Sequence, residues 1–83
     1  MKYINSSTRT LVDFTPGGEA IPIYFLYQNR RIKIDRVLDK KQSRKAFNNC
    51  IIYRCQCRDR LLELRWDRDK DRWYIDKMEI INP

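Results

Sequence analysis

From Ile21 onward the apolar residues fall on alternate positions, and this period of two constrains the fold more than any other feature of the chain. Runs rich in Ile, Tyr, Phe, Trp and Leu are separated by polar pairs. Successive side chains of a strand point to opposite faces, so such runs read as half-buried strands. Five strands are expected, near Ile21 to Gln28, Arg31 to Leu38, Asn49 to Cys57, Leu61 to Asp67 and Arg72 to Ile80. A turn at Asn29-Arg30 sets Tyr27 against Ile32 and Phe25 against Ile34. One near Arg58-Asp59 sets Tyr53 and Cys55 against Leu62 and Leu64, and one at Asp69-Lys70 sets Trp66 against Trp73 and Leu64 against Ile75. All of these fall on one face, where cross-strand aromatic pairs add about 0.5 to 1 kcal/mol beyond plain alternation. On the other face Glu63 comes opposite Arg54 and Asp67 opposite Arg72, while Glu63 lies near Asp76 in a like-charge conflict.

The alternation slips by one at Asp35-Arg36 before Val37 and again at Asp76-Lys77 before Met78, as a β-bulge makes it. Bulges curl a sheet. The expected fold is therefore all-β: a five-stranded antiparallel meander, strongly bent or closing into a small barrel, which buries its apolar face without a helix layer. The one long connection, "KKQSRKAFN" at Lys40 to Asn48, is expected to hold a short helical turn. Residues 1–20 are rich in Ser, Thr and Gly and carry the turn signal Thr15-Pro16-Gly17-Gly18. They read as an N-terminal arm and hinge, with Leu11, Val12 and Phe14 able to dock as a short strand on a single β domain of residues 21–83.

A chain of 83 residues buries only about 60 to 65% of the surface its unfolded form exposes, which argues against a deep enclosed active site. The opening "MKYINSSTRT" has no apolar run of the kind a secretory signal needs. The longest apolar stretch, Ile21 to Tyr27, falls far short of the roughly 20 residues that span a bilayer. A soluble cytoplasmic protein with no membrane partner is expected.

Two cysteines one residue apart, in "YRCQCRDR" at Tyr53 to Arg60, raise metal binding, redox chemistry and plain packing in turn. A zinc site takes four ligands, usually in CxxC or Cys/His pairs, whereas this chain has CxC, one further cysteine at Cys50 and no histidine. Residues two apart on a strand share a face, so Cys55 and Cys57 are expected on the inner face as small apolar side chains. Arg54 and Arg58 would lower a thiol pKa only if a sulfur were exposed. Asp67-Arg68-Asp69-Lys70-Asp71 copies the start of a calcium-binding EF-hand loop, but Arg72 stands where that loop needs Gly and Met78 where it needs Glu, so a charged hairpin turn is expected. With no histidine, no recognisable nucleophile motif, no Gly-rich phosphate loop and carboxylates set beside cations, neither an enzyme nor a cofactor is expected.

Charge is the remaining signal. The formal net charge is +7, yet residues 1–29 are balanced and residues 46–83 carry eight cations against seven anions. Residues 30–45 hold Arg30, Arg31, Lys33, Arg36, Lys40, Lys41, Arg44 and Lys45 against Asp35 and Asp39. Neutralising phosphates releases condensed counterions, and small curved sheets bind single strands by a cationic groove with stacking rings. The candidate nucleic-acid-binding residues are those eight cations, with Tyr24 and Phe47 as rings. The expected partner is single-stranded or duplex nucleic acid. The alternative is a protein partner, or a second copy of the chain, engaged through a sheet edge or the N-terminal arm.

The run "IPIYFLYQNRRIKIDRVLD", a basic loop, a Tyr-bearing strand and then "LLELRWDRDKDRWYIDKM" together resemble short bacterial β-meander families of unknown function. Some members lie beside, or are fused to, translesion DNA polymerases. The resemblance spans about residues 21–78 and rests on the strand rhythm and on Arg72-Trp73-Tyr74. It implies an accessory role around DNA and carries no catalytic residues with it.

Overall fold

A computed structural model describes residues 2–42 and 49–80, residues 2–7 through their backbone. Every regular element among them is a strand: β1 (Lys2–Thr8), β2 (Thr10–Phe14), β3 (Ala20–Tyr27), β4 (Arg30–Lys33), β5 (Arg36–Gln42), β6 (Cys50–Cys57), β7 (Arg60–Asp67) and β8 (Arg72–Ile80). They form two antiparallel sheets, one in the order β1-β8-β7-β6-β5 and one in the order β2-β3-β4. The all-β class holds. The single five-stranded meander does not, and the sheets do not close into a barrel.

Two departures from the expected strands account for the difference. The run expected to be one strand, Arg31 to Leu38, breaks at Ile34-Asp35. The amide of Ile34 donates to Ile23 in the small sheet, and the amide of the very next residue, Asp35, donates to Gln56 in the large one, both at 2.9 Å. Residues 2–14, expected as an arm, form β1 and β2 with only Arg9 between them, and the Arg9 carbonyl accepts the Leu26 amide at 2.9 Å. β1 pairs with β8 and β2 with β3, so both sheets gain an edge strand from this segment. Strands that change sheets at a bend are the usual way to make the corners of a packed pair of sheets. Lys40, Lys41 and Gln42 lie in β5 and not in a helical turn; residues 43–48 of that connection lie outside the described residues.

The turns follow from a few residues that accept a left-handed backbone. Gln28 and Asn29 have φ of 51° and 62°, the requirement of a two-residue hairpin whose twist matches its strands. That tight turn pairs Tyr27 with Arg30 and Phe25 with Ile32, two residues away from the expected register. A shift of two keeps every side chain on its face. Thr15 to Gly18 closes β2 onto β3, with the Gly18 amide donating to the Thr15 carbonyl at 2.8 Å and Gly18 at φ 84°. Between β7 and β8 the Asp67 carboxylate accepts the amides of Asp69 and Lys70 at 3.1 and 3.2 Å, and Asp71 accepts the Trp66 indole N–H at 3.1 Å. The aspartates are thus committed to a hairpin.

The expected pairing of the last three strands is as found: Tyr53 faces Leu64, Cys55 faces Leu62, Trp66 faces Trp73 and Leu64 faces Ile75. These residues, with Phe25, Ile34, Cys57 and Met78, fill the space between the sheets. Each large apolar side chain fully buried there contributes about 1.5 to 3 kcal/mol. Trp66 and Trp73 stack with centroids 5.5 Å apart and planes 6° from parallel. The Tyr53 hydroxyl crosses the core from β6 to donate to the Ala20 carbonyl of β3 at 2.7 Å, which ties the two sheets through a bond shielded from water.

Candidate nucleic-acid interface

β4 is an edge of the small sheet, and where the chain leaves it for β5 the two sheets splay apart. The gap between the β3–β4 hairpin and the β6–β7 hairpin is an open cleft of about 520 Å³. Phe25, Ile32, Leu62 and Met78 give it an apolar floor. Arg30 lines it from one hairpin and Arg58 and Arg60 from the other, against Asp35 and Asp59, while Arg31 and Lys33 border its rim opposite Leu26 and Tyr24, whose side chains take the outer face. Cations crowded around a low-dielectric wall concentrate a positive potential there.

Arg58 reaches the cleft from a costly conformation. Its φ is 56°, the left-handed region where a side chain costs about 1 to 2 kcal/mol relative to glycine. The Asp35 carboxylate holds it by accepting the Arg58 amide at 2.6 Å. Asp35 thus fixes the turn while its charge offsets part of the cationic surplus around the cleft. A glycine would take this turn without strain, yet an arginine stands there.

The cations singled out in the sequence divide into three groups. Arg30 faces the cleft, whereas Arg31 and Lys33 border it from β4 and share the outer face with Leu26 and Tyr24. Arg36, Lys40 and Lys41 run along β5 at the edge of the other sheet: Arg36 donates to the Gln56 side chain at 3.0 Å, and Lys40 bonds Glu19 at 2.8 Å. The Lys40 ammonium holds the Glu19 carboxyl below its ordinary pKa, first through that hydrogen bond and then through its charge. Arg44, Lys45 and Phe47 lie outside the described residues. Tyr24 is half-buried on the outer face of the small sheet with the Arg31 guanidinium 5.3 Å over its ring, so that face already has a cationic partner.

Arg58 and Arg60 were not expected at the site. They sit in a stretch whose charge nearly balances along the sequence, and only the fold brings the β6–β7 hairpin that carries them beside the β3–β4 hairpin. The signal that could have found them is their position at a turn bordering the apolar run of β6, where side chains emerge at the end of the sheet.

The large sheet's outer face has the opposite character. Glu63 meets Lys77 at 3.3 Å and Asp76 meets Arg65 at 2.9 Å, while Arg65 also lies 4.2 Å from the centre of the Tyr74 ring. The cysteines are all buried and free. Burial pushes the Cys55 thiol up to about 12, with Cys57 adding to it, and burial followed by the Asp35 charge pushes Cys57 up to about 11. Both stay protonated near neutrality, so Arg54 and Arg58 do not activate them. Among the described residues no group of three or more His, Cys, Asp or Glu is placed to hold a metal ion, and no helix is long and apolar enough to cross a membrane.

Comparison with known proteins finds no matching family model, no matching curated protein and no matching solved structure.

Proposed function

We propose that this protein is a non-enzymatic accessory module that binds nucleic acid, with the sugar-phosphate backbone seated in the cleft between the β3–β4 and β6–β7 hairpins. The observation that carries this reading is the convergence of Arg30, Arg58 and Arg60, from two distant parts of the chain, around one open groove, with Arg31 and Lys33 at its rim on the outer face of β4. Guanidinium groups pair with phosphate oxygens in a planar, bidentate way, and all three cations of the groove are arginines. The accessory role around DNA follows the resemblance of residues 21–78 to families found beside translesion polymerases.

The test is an amide chemical-shift titration with a short mixed-sequence single-stranded DNA at low salt and again near physiological salt. Shifts confined to residues 30–33 and 57–60 that persist at the higher salt are expected. Diffuse shifts that vanish with salt would reduce the cleft to a solvated basic surface.

A second reading, a protein-interaction module, draws on a different observation. Leu11, Ile21 and Leu26 are exposed on the outer face of the small sheet, Leu11 by 59%, and β2 and β4 are that sheet's edges. Exposed apolar groups beside an unpaired strand edge suit strand addition. Light scattering that shows a strict monomer at high concentration would remove the self-pairing version.

A further inference from the structure

β7 and β8 floor a second cleft at their other end. Where Leu62 and Met78 lie beneath the cationic cleft, Trp66 and Trp73 line the second one, four residues along β7 and so about 13 Å away. It has a volume of about 560 Å³ and opens between β2 and the β7–β8 hairpin. Its chemistry differs from that of the first cleft. The indoles of Trp66 and Trp73 are stacked on each other, with the Arg68 guanidinium 5.8 Å from the Trp66 centroid, so the open ring of the cleft is Phe14, which enters from the end of β2 while remaining 61% exposed. Trp73 is buried and is explained by the core, and Trp66 is half-buried. Phe14 is not explained by packing, because most of its ring faces water.

The polar groups around these rings are two threonines, two arginines and one aspartate, so cations exceed anions by one. Arg9 and Arg72 line the cleft, and its one carboxylate, Asp71, already accepts the Trp66 N–H. The Thr10 hydroxyl, on the wall, is buried with no hydrogen-bond partner. Aromatic faces select a planar ring, and cations favour an anion attached to it. A bare phosphate would leave the exposed Phe14 ring unused.

We infer that this second cleft stacks an unpaired base of the same strand whose phosphates occupy the cationic cleft, so that the protein prefers single strands to duplex. The inference rests on the nucleic-acid reading above. In a duplex the bases are already stacked on their neighbours and cannot reach Phe14, whereas in a single strand any base presents a ring face.

The experiment compares two eight-residue DNA strands on the full chain at low salt: one of thymidines, the other of the same length with abasic spacers in place of every nucleoside. Affinity is read by fluorescence anisotropy of an end label and tryptophan emission in parallel. The thymine strand is expected to bind about tenfold more tightly than the abasic one and to quench tryptophan emission, since each base stack of this kind is of that order. In Phe14→Ala that advantage disappears. Equal affinity for the two strands with unchanged emission overturns the base-stacking site while the cationic cleft stands. A thymine preference that survives Phe14→Ala also overturns it, because the stacking then lies elsewhere. If neither strand binds, the nucleic-acid reading itself falls and takes this inference with it.

Discussion

The Lys77 ammonium lies 3.3 Å from the Glu63 carboxylate because Asp76 stands outside the ladder between β7 and β8. Leu64 pairs with Ile75, and the next residue, Glu63, pairs with Lys77, so Asp76 is the extra residue of a bulge. Regular alternation would have set Glu63 against Asp76. The bulge removes that repulsion, gives Asp76 to Arg65, and turns Met78 back into the core, where it is 8% exposed.

Deleting Asp76 is therefore expected to be tolerated. Lys77 and Met78 keep their partners and faces, and the loss is chiefly the two-pronged, part-buried Arg65 pair, worth about 1.5 to 3 kcal/mol. Deleting Tyr74 instead turns Ile75 out to water and Asp76 in toward the core, at a cost of several kcal/mol. Thermal unfolding followed by far-UV circular dichroism should show a cooperative transition for the first deletion and none for the second. Similar losses in both would refute this account of the bulge.

Replacing Arg58 by glycine should separate stability from binding. The left-handed turn at φ 56° loses its strain, so the urea midpoint is expected to hold or rise, with a gain of up to about 1 kcal/mol. The salt dependence of single-strand binding should become shallower by about one phosphate contact. A variant that binds with an unchanged slope would remove Arg58 from the interface.

Alkaline pH is expected to unfold the protein through its core. Cys55 and Cys57 ordinarily ionise near 9 and Tyr53 near 10, but in the fold they hold their protons to about 12, 11 and 12, in each case chiefly through burial. Above pH 9 the unfolded chain thus carries fewer of these protons than the folded one, and stability falls as pH rises. It is fully present below about pH 9 and is lost progressively toward 12. Urea midpoints taken from pH 7 to 10.5 should decline above 9, and the decline should be flatter when Cys55 and Cys57 are both alanine. An equally steep decline in that variant would show that other groups carry it.

The sequence by itself determined β6, β7 and β8 of the large sheet and their facing. Alternation placed Tyr53, Cys55, Leu62, Leu64, Trp73 and Ile75 on one face, and local turns then fixed which of them meet. It also located the two slips, since a break in a period of two is visible in the residues themselves. Tertiary structure decided what the slips do. The same one-residue offset is a bulge at Asp76, where β7 continues alongside, and a change of sheet at Ile34-Asp35, where two sheets offer amide partners to adjacent residues. Whether residues 2–14 would be an arm or strands turned on free edges at β8 and β3, which exist only once the later strands have folded. The cationic cleft is of the same kind: Arg58 and Arg60 are about thirty residues from Arg30 along the chain, and no local pattern couples them. Sequence patterns record the faces of strands because facing is a local property, whereas the approach of two hairpin ends depends on how the sheets cross.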